Sequence, residues 1–167
     1  MFLPPKNNRV RVQKGGSLVE IVVVSGIIMG SLAAIIGLAA FFLATSQVVQ
    51  QTSQATALAQ EALEIVRNIR DGTDWTSGLG ALTLGDFYHP KQLGSPPEWT
   101  LISDPETIGE FTRQIVFEEV YRDASDNISA NGTLDPDTIK TTVQVMWEER
   151  GRNHQVELEA YITNWKQ

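Results

Sequence analysis

The chain contains no cysteine, so neither a disulfide nor a thiolate metal site contributes to its fold or chemistry. Histidine is almost as scarce. The two present, His89 and His154, lie far apart in unlike contexts and read as surface residues rather than ligands. With no cysteine nucleophile and no glycine-rich phosphate loop after a strand, nothing suggests an enzyme, and no cofactor or metal is expected. Cations are short beyond the N-terminus. Lys6, Arg9, Arg11 and Lys14 give the first 15 residues a charge of +4, which leaves nine basic against 20 acidic residues, net −11, in the remainder. Nucleic-acid affinity rests on Lys and Arg contacts to phosphate, so no nucleic-acid binding is expected of so acidic a body.

Charge of either sign is missing altogether between Glu20 and Glu61. Within that interval, Ile21–Ala44 is a run of 24 residues, IVVVSGIIMGSLAAIIGLAAFFLA. As a helix it would extend roughly 36 Å, enough for a hydrocarbon core of about 30 Å. The basic leader ahead of it predicts a cytoplasmic N-terminus, with the body of the chain on the other side. A secretory signal peptide has a shorter apolar region ending in small residues; Leu38-Ala39-Ala40 and Ala44-Thr45-Ser46 offer such a site, but the run is longer than that reading needs. A plain signal anchor fits the length and leaves Glu20 unexplained. A carboxylate at the mouth of an apolar helix costs several kcal/mol if it enters hydrocarbon without a partner.

The segment Lys14-Gly15-Gly16-Ser17-Leu18-Val19-Glu20-Ile21 resembles the processing motif of type IV prepilins and type II secretion pseudopilins. In that family a short basic leader ends in Gly, and an apolar helix follows with Glu as its fifth mature residue. The resemblance implies a leader of residues 1–15, cleaved between Gly15 and Gly16 by a membrane prepilin peptidase, with methylation of the new amino group on Gly16. The double glycine also permits a cut after Gly16, making Glu20 fourth. The family further implies partners: other pilin or pseudopilin subunits, major or minor, and an assembly platform in the cytoplasmic membrane. The product would be a membrane precursor and then an extracytoplasmic filament. Glu20 would then pair with the freed amino group of a neighbouring subunit's Gly16, since a buried glutamate without a positive partner is strongly unfavourable. Gly26 and Gly30 form a GxxxG pattern, continued by Gly37 and several alanines, as close helix packing in lipid requires.

The helical period continues past the apolar run. Val48, Thr52, Ala55, Ala59, Ala62, Val66 and Ile69 form a stripe, faced by Gln and Glu on the other side, up to Asp71-Gly72. The expected organisation is a transmembrane or filament-core helix over 16–46 and a head over 47–167. The head comprises an amphipathic helix 47–70, a turn-rich connector 71–97 and a β-sheet 98–167. Within the connector, a short element is expected around Leu79–Leu84, with Trp75, Phe87 and Tyr88 pinned to the core. Period-two alternation predicts strands at Trp99–Ser103, Phe111–Arg122, Thr138–Glu149 and His154–Trp165. Phe111, Ile115, Phe117 and Tyr121 share one face in the second of these, and Glu149–Asn153 reads as a hairpin turn. The fold class is α+β, a long helix packed on an antiparallel sheet.

Residues 123–137 carry Asp123, Asp126, Asp135 and Asp137, hard oxygens of the kind calcium uses, but without EF-hand spacing; a polar inter-strand loop is the better reading. Asn127-Ile128-Ser129 and Asn131-Gly132-Thr133 match the glycosylation sequon, a pattern common by chance. The competing function is an uncleaved, single-pass membrane-anchored binding module with a β-rich extracytoplasmic head.

Overall fold

The computed structural model describes residues 17–165, an α+β arrangement of one helix and a seven-stranded antiparallel sheet. The chain divides into two units, one ending at Gln47 and the other running Val48–Gln167. Helix α1 spans Leu18–Gly72. Ser17 starts it, its carbonyl accepting from the backbone N–H groups of Glu20 and Ile21. The Asp71-Gly72 stop falls where the polar punctuation puts it.

In the second unit, α1 buries Ala55, Ala59, Ala62, Leu63, Ile65, Val66 and Ile69 against the sheet. The core begins about two turns after the stripe does: Val48 is only partly buried, and Thr52 is exposed, its hydroxyl donating to the Val48 carbonyl. Three fully buried alanines on this face let the helix backbone approach the strands closely.

The sheet runs β2-β1-β4-β6-β7, with β3 and β5 also on β4. Strand β1 is Phe87–Leu93, β2 Glu98–Ser103, β3 Glu106–Ile108, β4 Phe111–Arg122, β5 Ile128–Ser129, β6 Thr133–Glu149 and β7 Arg152–Thr163. The connector is therefore shorter than its composition suggests. A single turn of 3₁₀ helix forms at Leu79–Ala81, but Phe87–Leu93 is a true strand that joins the sheet. Proline at position 90 hides it from a propensity reading, since proline cannot donate to a ladder. Tyr88 is buried, its hydroxyl bonding both N–H and carbonyl of Thr83. Its neighbour Phe87 points outward and is exposed, the reverse of the expected anchoring. Trp75 is half-buried, and its indole donates to the Pro136 carbonyl.

Strand β4 has the expected limits, with one correction. Phe111, Ile115 and Phe117 face the core, but the register with β6 slips between Glu119 and Val120. Opposite that step β6 loops out Pro136, Asp137 and Thr138, so Glu119 pairs with Ile139 and Val120 with Asp135, and the alternation along β4 reverses beyond it. Val120 is buried in consequence, and Tyr121 is not. On β6, Val143, Val145 and Trp147 are buried together as the alternation requires. The β6–β7 turn narrows to Arg150-Gly151, both at positive φ (52° and 74°), the geometry of a two-residue hairpin that matches strand twist.

Both histidines are less exposed than expected. His154 stacks on Trp147 with ring centroids 5.4 Å apart. The side chain of His89 is 12% exposed, its Nδ1 2.9 Å from the Asp104 carbonyl oxygen and 3.0 Å from Asp104 Oδ1. Asp104 has φ +148°, a region that favours glycine, and this pairing holds it there.

The expected polar loop 123–137 is shorter than its composition suggests, because β5 forms at Ile128–Ser129 and β6 begins at Thr133 rather than Thr138; an internal cation on β4 organises the segment. Arg122 Nε donates to Asp135 Oδ2 at 2.7 Å, and Arg122 Nη1 donates to the Asp126 carbonyl at 2.9 Å. Asp123 Oδ1 accepts from the backbone N–H groups of Ser125 and Asn127. Among the described residues no group of acidic or histidine side chains could hold a metal ion. The backbone donors from Asn127 and Ser125 hold the Asp123 carboxyl below its ordinary value, and Arg122 does the same for Asp135. A depressed carboxylate contributes stability above its unfolded value of about 3.9 and loses it as pH falls through the lower folded value. The amide resonances of Ser125 and Asn127 should therefore hold their positions down to about pH 4 and shift only under stronger acid. Movement already near pH 5, or on addition of a chelator at neutral pH, contradicts this loop design.

Candidate functional site

The feature without an intramolecular explanation is the apolar half of α1. From Leu18 to Leu43 the large apolar side chains are exposed, among them Ile21, Ile28, Ile36 and Phe41, each above half of full exposure. The most apolar window of α1 has a mean hydropathy of 2.5 and none of it is buried; by length and composition the helix is able to cross a membrane. Such a surface is at rest only in lipid or against other apolar helices.

The two polar side chains of Ile21–Ala44 do not oppose this. Ser25 Oγ donates to the Val22 carbonyl at 3.0 Å, and Ser31 Oγ donates to the Ile27 and Ile28 carbonyls at 2.9 Å each. Each hydroxyl hydrogen is satisfied by the helix itself, so neither serine demands a partner across the helix.

Gly26, Gly30 and Gly37 meet nothing within 4 Å of an added Cβ. At ~100° per residue, these three with Ala33, Ala40 and Ala44 fall within an arc of roughly 80°. The result is a shallow groove of small residues down one side of the helix, which admits a close neighbour. Glu20 lies about 120° around the helix from Gly26, so its carboxylate and the groove serve different sides.

Glu20 occupies the first turn of α1, exposed, with no side-chain hydrogen bond or ion pair among the described residues. Ser17-Leu18-Val19-Glu20 has the Ser-x-x-Glu spacing of a capping box, but among the described residues neither of its side-chain hydrogen bonds is made; what acts on Glu20 there is the positive end of the helix dipole, which favours an acid in the first turn. The sequence reading missed this dipole contact, though an acid three residues after Ser17 signals it. Gly15 and Gly16 lie outside the described residues.

No family model, curated protein or solved structure matches the chain.

Proposed function

We propose that this chain is a filament subunit of the type IV pilin and type II secretion pseudopilin class, inserted as a precursor, cleaved between Gly15 and Gly16 and assembled through the apolar half of α1. The observation that carries the reading is the division of labour along one unbroken helix. Its first part is apolar and exposed all round, while its second part is buried on one face against a sheet. A helix serving only as an anchor needs apolar length. It needs neither a groove of small residues on one side nor a carboxylate on another, and a helix with neighbours on several sides uses both. In the assembled state Glu20 meets the amino group of a neighbour's Gly16, which exists only after cleavage. Processing thereby gates assembly, and the pair sets axial register.

The second reading, an uncleaved anchor carrying a binding head, draws on the position of Glu20 in the first helical turn. There the helix dipole favours the carboxylate without another subunit. The two readings differ at the N-terminus. Coexpressed with a prepilin peptidase, the membrane-extracted chain should begin at Gly16, as read by N-terminal sequencing. Gly15→Leu should accumulate full-length precursor, because a side chain at that position obstructs the extended backbone in the peptidase. Maturation of this variant at the wild-type rate would remove the cleavage assignment and favour the anchor.

A further inference from the structure

The two ends of the strand path β2-β1-β4-β6-β7 are built differently. At one, β2 is six residues long and enters directly after Pro96-Pro97. At the other, β7 runs for 12 residues without proline or glycine, in unbroken register from Glu149↔Arg152 to Thr138↔Thr163. Along an edge strand, backbone N–H and C=O groups turn away from the sheet and template another strand. Natural sheets blunt long edges with proline, charged side chains (lysine above all), a bulge or a cover. On β7 there is no proline, lysine or bulge; its charges are Arg152 and the exposed Glu157 and Glu159, which repel an acidic strand and admit a basic one, and among the described residues only β6 pairs with it.

The side chains flanking this edge define what it accepts. On the core face, Val156, Leu158 and Ala160 are only half-buried, whereas their cross-strand partners Val145, Val143 and Thr141 are fully buried. The apolar layer thus reaches the edge and stops uncovered. On the outer face stand Glu157 and Glu159, both exposed. Glu157 accepts from Gln144 at 2.9 Å, and Glu159 pairs at 2.5 Å with Lys140, which also serves Glu118 at 3.2 Å. One lysine among three carboxylates leaves the rim negative, and each carboxylate retains further acceptor sites.

We infer that the β7 edge receives an extended segment of a partner protein as an eighth strand, one alternating apolar residues over Val156 and Leu158 with Lys or Arg against Glu157 and Glu159. The ladder supplies affinity and the alternating side chains supply selectivity, as in strand addition generally. A second copy of β7 is a poor complement. Its outer face from Asn153 to Thr163 carries no cation, so antiparallel self-pairing sets these glutamates against neutral residues or against each other. The inference stands apart from the filament reading, since it concerns only the second unit.

The test uses the full chain in nonionic detergent with two labelled hexapeptides of identical composition, one alternating Arg and Val, the other with three Arg followed by three Val. Fluorescence anisotropy gives affinity, and hydrogen exchange locates the site. The alternating peptide should bind at least tenfold more tightly, protect amides of Arg152–Thr163, and lose tenfold or more in affinity when Glu157→Lys and Glu159→Lys are combined. Equal binding of both peptides, or protection elsewhere, would reduce the effect to general attraction by an acidic head and overturn the inference. So would β7 protection that rises with protein concentration in the absence of peptide, which identifies a second copy as the occupant. The wild-type exchange map decides the matter even if the double variant folds poorly.

Discussion

Glu20→Ala should leave membrane insertion intact and reduce incorporation into filaments by roughly a hundredfold or more, from a loss of ~3–5 kcal/mol per broken buried pair. The two halves of this expectation have opposite physical origins. In the isolated precursor, Glu20 is an exposed acid at the mouth of an apolar helix. Removing it lowers the cost of placing that end in hydrocarbon, and its interaction with the helix dipole is worth only ~1 kcal/mol or less. On the proposed filament reading, the same change strands the amino group of a neighbour's Gly16 without a counter-charge, at every subunit. Fractionation of membranes measures the first half, and the yield of shear-released fibres measures the second. Incorporation at the wild-type level would mean that the carboxylate serves only its own helix end. Failure of insertion would transfer its role to topology.

The next largest effect belongs to Arg113, whose guanidinium is 5% exposed on the core face of β4. It joins three elements. Nη1 donates to the Leu58 carbonyl at 3.0 Å and to Glu61 at 3.1 Å, both on α1, while Nε donates to Glu106 on β3 at 2.7 Å. The alanines on that helical face bring the backbone within reach of the guanidinium. Arg113→Ala should cost about 3 kcal/mol, from charge-assisted bonds at ~1.5–3 kcal/mol each partly offset by rehydration of the acids. A loss of that size lowers Tm by about 10 °C. Glu61 is half exposed, which is why its rehydration is easy and the loss stays moderate. Arg113→Met keeps the packed stem and should recover about half. Urea melts of the full chain in detergent, followed by tryptophan fluorescence, give both values. A loss under ~1 kcal/mol for the alanine variant would show that the guanidinium is solvated rather than clamped.

Most of the architecture was legible from hydropathy and period. The uncharged interval after Glu20, the helical stripe ending before Asp71-Gly72, and the alternation in 111–122 and 138–149 each correspond to an observed element. The departures have specific causes. Tyr121 was misplaced because a bulge shifts alternation locally, and no composition signal marks it. Phe87–Leu93 escaped because Pro90 obscures it, and its tie to the core depends on the distant strand Phe111–Arg122. Arg113 was readable in principle, since it falls on the period-two face between Phe111 and Ile115. A charge at that position signals an acid opposite, which Glu61 supplies across 52 residues of sequence. At the candidate site, Glu20 and the glycines were visible as types and spacings. The arc the glycines share with Ala33, Ala40 and Ala44, and the separation of Glu20 from it, follow once α1 is one helix through that segment.

Strand β4 also determines where this sheet yields. One flank is a long ladder to β6, running from Thr112↔Met146 to Arg122↔Thr133 with a single irregularity. The opposite flank is divided among β3 at Phe111–Arg113, β1 at Ile115–Val116 and β5 at Tyr121–Arg122. Each short patch can open without unzipping its neighbours, and local openings of that kind cost far less than global unfolding. The molecule therefore has a stiff half, β4-β6-β7, and a compliant half stitched on in pieces. Insertions or exchanged loops between residues 73 and 110 fall on the compliant side, where a lost patch leaves the long ladder standing.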